Sequence, residues 1–140
     1  MGGKPMSWND MPSLDTNCLL RWLLCDVPEH TAIITAVINS EKNLAVADAA
    51  LIEMVFVLEK IKKISRETIE KAVLVIFEKD NILCNRGLFI ETLSVYTRCP
   101  KLSFVDCYLD AFARSTDTAP LLTFDKKMGS QLSGTKLLLP

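Results

Sequence analysis

Apolar residues along the chain recur in two rhythms. In RETIEKAVLVIFEKD, behind a capping Ser65, Ile69, Ala72, Val73, Ile76 and Phe77 repeat at helical spacing. They predict a helix with one apolar stripe. The same rhythm predicts helices over NCLLRWLLCD, with Asn17 as its cap, over PEHTAIITAVINSEK, opened by Pro28, and over AALIEMVFVLEKIKK, capped by Asp48. RGLFIETLSVYTR, ending before Pro100, and SFVDCYLDAFARS complete the helical set. Between them lie short apolar runs that read as buried strands: LAVA at 44–47, NILCN at 81–85 and PLLTF at 120–124. A first strand ends at Leu14, KKMGSQL is a turn, and TKLLL is a last edge strand. Strands alternating with helices predict an α/β fold whose sheet is mostly parallel, with right-handed crossovers.

No repeat or linker divides the 140 residues, which suit one compact domain. Residues 1–12 are expected to form a flexible N-terminal tail and 13–140 a single domain. Hydrophobic residues make up 49% and charged ones 24%, as in globular chains rather than disordered ones. A formal net charge of −1 argues against holding nucleic acid by bulk positive charge alone. The five cysteines form no CxxC pair. On one helix, Cys18 and Cys25 would stand about 10 Å apart, too far for a disulfide. Reduced, mostly buried thiols in a cytoplasmic protein follow. A single histidine, His30, argues against a Cys/His zinc site. No apolar run is long enough to span a membrane, and MGGKPMSWND has no apolar core of a secretory signal.

In parallel sheets chemistry gathers outside the carboxyl ends of strands, so the residues there matter most. Asp15 follows the first strand, where an Asx turn or a helix cap is the ordinary reading. Glu53 is the one charge in AALIEMVFVL, on a face where an unpaired carboxylate would be costly. Backbone donors or an arginine would be its ordinary partners. Asp106 lies three residues after Ser103, as in a capping box. Asp110, one turn on, shares a helix face with Asp106, where like charges repel. It either points to water or supports a site. Asp125 follows PLLTF, either as a surface turn or as a functional acid. Taken together, clustered carboxylates without histidine or cysteine suit a hard cation, Mg²⁺ or Mn²⁺.

LDTN, the isolated Glu in LIEMVFVLE, SFVDCYLDAFA and LLTFD occur in the order and at about the spacing of the PIN-domain ribonucleases. The chain most resembles the VapC-like toxins of toxin–antitoxin pairs, from Leu14 to about Lys126. The resemblance implies a three-layer α/β/α sandwich around a central, mostly parallel sheet. It implies catalytic acids at Asp15, Glu53, Asp106 and Asp125, with Asp15, Asp106 and Asp125 holding Mg²⁺ or Mn²⁺. Thr16, Asn17 and Thr123 match the supporting polar residues; Asp110 stands where the family commonly has small or apolar residues, and is either an outer partner or without a role. The implied activity is hydrolysis of an RNA phosphodiester by an activated water, leaving a 5′-phosphate and a 3′-hydroxyl. Homodimers and a cognate antitoxin are the implied partners. The chain departs from the family pattern at MPSL, because Pro12 lacks an N–H and shortens the first strand.

Phosphate contacts outside the acids would fall to Arg21, Lys62, Lys63, Arg66, Lys126 and Lys127. The stripe Ile69–Val73–Ile76–Phe77, with Leu74 and Val75, and the patch Leu19–Leu20–Trp22–Leu23 are candidates for a dimer face and an antitoxin groove. Two other functions compete. A non-catalytic PIN-like module binding RNA or protein usually lacks one or more of the acids, and all four stand here. An aspartyl phosphotransfer domain needs a second acid beside the first, and LDTN offers one.

Overall fold

The computed structural model describes residues 11–139; of the expected tail, residues 1–10 lie outside the described residues. Among the described residues, seven helices and four short strands follow in the order α1 (Thr16–Leu24), α2 (Pro28–Ile38), β1 (Leu44–Ala45), α3 (Asp48–Phe56), α4 (Arg66–Phe77), β2 (Ile82–Leu83), α5 (Arg86–Arg98), α6 (Phe104–Ser115), β3 (Leu121–Thr123), α7 (Lys126–Gln131) and β4 (Thr135–Leu137). A π-helical turn, Val57–Ile61, continues α3.

Local chemistry sets most helix starts. Ser65 accepts from the Thr68 N–H at 3.2 Å and Ser103 from the Asp106 N–H at 3.1 Å, each satisfying one of the free amides of a first helical turn. Pro28 opens α2, where its missing N–H costs nothing. Two expected caps differ. Asp15, rather than Asn17, caps α1, taking the Cys18 N–H at 2.9 Å. Ala47, rather than Asp48, holds the cap position of α3, with no side-chain bond. Asp48 is instead drawn to partners on other elements, which outcompete a local turn.

The strands pair in parallel. β1 lies beside β2 with Leu44 opposite Ile82, and β3 beside β4 with Leu121 opposite Thr135. Ser13 adds a single parallel bridge to Ala45. There Pro12 contributes only its carbonyl, accepting from the Ala45 N–H at 2.8 Å, while the Leu14 N–H donates to Ala45 O at 2.8 Å. The architecture is therefore α/β and mostly helical. Among the described residues no ladder joins the two strand pairs, so one continuous central sheet of a three-layer sandwich is not shown.

The core gathers Leu19, Leu44, Leu51, Met54, Ile69, Ile76, Ile82, Phe89 and Tyr96, all fully buried. Ile69, Val73 and Ile76 of α4 and Leu19 and Leu20 of α1 turn into this core, so most of the expected docking surface is interior. Trp22, Leu23, Ala72 and Val75 do line a surface groove of about 420 Å³ between α1 and α4. Leu74 and Val75 of α4 are exposed, as are Phe56 of α3 and Val105, Leu109 and Phe112 of α6.

Candidate acidic site

Asp15 stands just past the Pro12–Leu14 segment. Its Oδ1 takes the Cys18 N–H, and this bond holds the carboxyl below its ordinary pKa. Thr16, next in the chain, sends its hydroxyl across to α3, 3.1 Å from Glu53 Oε2 and 3.3 Å from Ala50 O. Glu53 is thereby tied to the loop that carries Asp15. It is not buried: Glu53 is exposed and its helical neighbour Phe56 is 56% exposed. The apolar face expected around Glu53 faces outward, so its carboxylate keeps its hydration and needs no interior partner.

The acid that α3's continuation draws inward is Glu59, whose side chain is 17% exposed. The π turn adds about one residue per turn, which rotates the following side chains away from the α-helical phase. Glu59 then meets the Tyr96 hydroxyl, Lys60 Nζ at 3.2 Å and Arg66 Nη2 at 3.5 Å. Burial pushes its pKa up, but the Tyr96 bond and the two cations outweigh burial and leave it lowered.

Asp125 caps α7: its Oδ1 takes the Lys127 N–H at 2.8 Å and the Met128 N–H at 3.2 Å. Its own N–H donates to Thr123 Oγ1 at 3.0 Å, so Thr123 fixes the backbone at this acid. Asp106 lies in the first turn of α6, partly exposed, with its N–H on Ser103. Asn17 is exposed and shares a cavity of about 430 Å³ with Asp15, Arg21 and His30.

Asp110 does not face solvent. It is 1% exposed, with Oδ2 on Arg114 Nε at 2.9 Å and Oδ1 accepting from Thr135 Oγ1 at 2.8 Å. Arg114 extends the chain to Glu91 of α5 at 2.8 Å. Asp110 therefore fastens β4 to α6.

Of the candidate phosphate contacts, Lys62, Lys63, Lys126 and Lys127 are exposed. Arg21 pairs with Asp26 at 2.6 Å. Arg66 is committed to the interior: it donates to Tyr96 O at 2.8 Å, Cys99 O at 3.2 Å and Leu102 O at 2.6 Å, and its guanidinium lies 4.0 Å from the Tyr96 ring centroid. These carbonyls end α5 and the loop after it, and a planar five-donor group satisfies them better than phosphate recognition would allow.

Sequence reasoning missed Asp48. This residue follows β1, and its carboxylate accepts from Tyr108 Oη at 2.5 Å and Asn85 Nδ2 at 2.8 Å. Burial, then the Asp48 bond, push the Tyr108 phenol up to about 12. The signal was its place after a strand, the same signal that marked Asp15 and Asp125.

In kind, the donors suit a hard cation: all are carboxylate oxygens, and Asp15 and Asp125 each use Oδ1 in capping. In spacing they do not yet fit, because among the described residues no three His, Cys, Asp or Glu side chains stand close enough together to hold a metal ion. Among those residues no helix is long and apolar enough to cross a membrane.

No curated protein sequence matches the chain. The PIN domain profile matches residues 13–130, which include Asp15, Glu53, Asp106 and Asp125. PIN domains are generally nuclease modules, typically metal-dependent, and commonly use Mg²⁺ or Mn²⁺. With most of its length matched by that profile, the chain belongs to the PIN domain family.

Proposed function

We propose that the protein is a Mg²⁺- or Mn²⁺-dependent endoribonuclease and the toxin of a toxin–antitoxin pair. The observation that carries the reading is placement. Asp125 follows a strand of a parallel pair, Asp15 follows the single parallel bridge at Ser13, and Thr16 ties Glu53 of α3 to the Asp15 loop.

Asp15, Asp106 and Asp125 would hold the cation, drawn together against the mutual repulsion that otherwise keeps like charges apart. A bound divalent cation supplies Lewis acidity and offsets negative charge at the reacting phosphate. Glu53, held by Thr16, would orient the attacking water and accept its proton. Thr123 keeps Asp125 in place through its amide. Lys126 and Lys127, directly after Asp125, and Lys62, Lys63 and Arg21 would meet flanking phosphates. Single-stranded RNA is the substrate class a compact site accepts most readily. An antitoxin helix would enter the groove lined by Trp22, Leu23, Ala72 and Val75, and the exposed Phe56–Val105–Leu109–Phe112 face would pair two copies. A monomer in sedimentation at micromolar concentration would remove the dimer.

The test is cleavage of a panel of unlabelled-sequence RNAs with Mg²⁺ or Mn²⁺. Cleavage should stop with EDTA and fall by several orders of magnitude in Asp125→Asn. Cleavage that persists in EDTA would remove the reading. The wide spacing of the acids favours one alternative, a non-catalytic module that binds RNA or protein. That module would bind RNA equally well with and without divalent ions and would leave it intact.

A further inference from the structure

Glu53 and Asp106 stand on different helices, α3 and α6, which touch over part of their length and elsewhere open into an apolar cleft. Its walls are Ala49, Ile52, Glu53 and Phe56 on the α3 side and Phe104 and Val105 on the α6 side, enclosing about 420 Å³. Along the cleft itself no side chains interdigitate to fix the spacing of the two helices.

Among the described residues, one side-chain hydrogen bond joins α3 to α6: Tyr108 Oη to Asp48 Oδ2, at 2.5 Å. Asp48 is the first residue of α3, five before Glu53, and Tyr108 lies two after Asp106. Neither end of the bond is free to drift. Asn85, at the cap of α5, holds the other oxygen of Asp48 at 2.8 Å. The Tyr108 ring sits between Phe89 and Phe112, with centroids 5.5 and 6.0 Å away. Both oxygens of Asp48 are thus occupied by donors from two further helices, which suits a strut better than a ligand. A carboxylate with a phenol is also a strong pair, because the acceptor is charged.

We propose that Asp48 and Tyr108 are positioning residues that fix α6, and with it Asp106, against Glu53 of α3. The inference rests on the nuclease reading above. It assigns no contact with substrate to either residue; they act through the acids they place. Loss of the strut lets the first turn of α6 move relative to α3, and misplacement on the scale of an ångström is enough to slow a reaction that depends on converging groups.

The experiment compares wild-type, Tyr108→Phe, Asp48→Ala, Asp48→Asn and the Asp48→Ala/Tyr108→Phe double variant, with Asn81→Ala as a control. Asn81 donates to Ile38 O and Lys42 O just before β2, at the end of that strand opposite Asp48's partner Asn85. Single-turnover RNA cleavage with Mn²⁺ and direct Mn²⁺ binding are measured well below each melting temperature. Tyr108→Phe and Asp48→Ala should each lower kcat by about 10- to 100-fold, with KM changed less than about twofold. The double variant should be no slower than the slower single one, because both remove the same strut. Asp48→Asn keeps an acceptor for Tyr108 and should recover most of the rate, and Asn81→Ala should cleave like wild-type. Mn²⁺ affinity should weaken in Tyr108→Phe and not in the control. A Tyr108→Phe rate within about twofold of wild-type would overturn the strut while leaving the nuclease reading intact. Asp48→Asn as inactive as Asp15→Asn would make Asp48 a ligand instead and would also overturn it. A wild-type protein that neither cleaves RNA nor binds Mn²⁺ would remove the nuclease reading and the strut's role with it.

Discussion

Asp110 offers the sharpest test of how the acids divide between structure and chemistry. It is buried, and both its oxygens are occupied, by Arg114 Nε at 2.9 Å and Thr135 Oγ1 at 2.8 Å. A hydrogen bond to a charged group contributes about 1.5–3 kcal/mol, and stripping one partner from a fully buried pair costs about 3–5 kcal/mol. The upper figures do not apply, because Arg114 is 29% exposed and keeps Glu91 at 2.8 Å. Asp110→Asn preserves shape and one acceptor, so a loss of about 2 kcal/mol is expected, and Asp110→Ala should lose about 3 kcal/mol. Urea unfolding with the m-value held common reads this directly. Cleavage at a temperature where Asp110→Asn remains folded should stay close to wild-type, since the residue faces Arg114 and β4. A stability change under about 0.5 kcal/mol would refute the buried-pair argument. Lost cleavage in a stably folded Asp110→Asn would move Asp110 back beside the metal-site acids.

Three further outcomes follow from other parts of the fold. Arg66→Met removes donors to the carbonyls of Tyr96, Cys99 and Leu102 and the stack on Tyr96, and should cost about 3 kcal/mol or more in urea unfolding; a loss under about 1 kcal/mol would return Arg66 to the surface. Gly134→Ala would place a Cβ 2.6 Å from Arg114 Cγ and 2.7 Å from Asp110 Oδ1, and should destabilise by about 1–3 kcal/mol, checked by thermal melts; an unchanged melting temperature would contradict the close approach of β4 to α6. Asp15 and Glu59 both have folded pKa values below their ordinary 3.8 and 4.5. The stability they contribute is complete above those ordinary values and disappears as the pH falls through the lower folded ones. Urea stability should therefore decline below about pH 4.5, and the decline should be shallower in Glu59→Gln; an identical slope would show that Glu59 is not held ionised by Tyr96 and its cations.

The helices were legible where local chemistry and periodicity agree. Ser65 and Ser103 cap α4 and α6 as their spacing suggests, and the Ile69–Val73–Ile76 stripe is buried because it has one helical phase throughout. The same stripe also looked wide enough to dock a partner, and its depth in the core could not be read without knowing what packs over it. Along α3, phase reasoning failed at the π turn. A wider turn leaves no mark in hydropathy, and along it Glu59 is drawn in beside Arg66 with its side chain 17% exposed, while Glu53, before the turn, is exposed because its own face of α3, with Phe56, meets solvent. Asp110 was decipherable in principle, since Arg114 follows at i+4, but its second partner, Thr135, comes from the far end of the chain. Asp48 was mistaken for a cap because Tyr108, sixty residues on, is nonlocal. Strand pairing was legible only as parallel. The two- and three-residue lengths of these strands, and a first strand limited by Pro12, set where the sheet stops.

The central claim is that Asp15 belongs to a metal-dependent nuclease site and does more than cap α1. Single-turnover cleavage of RNA by Asp15→Asn with saturating Mg²⁺, beside wild-type, tests it most directly, because asparagine can still accept the Cys18 N–H and keep the helix start. The account predicts a folded variant, melting within a few degrees of wild-type, whose cleavage rate is lower by several orders of magnitude. A folded Asp15→Asn that cleaves at the wild-type rate would contradict it.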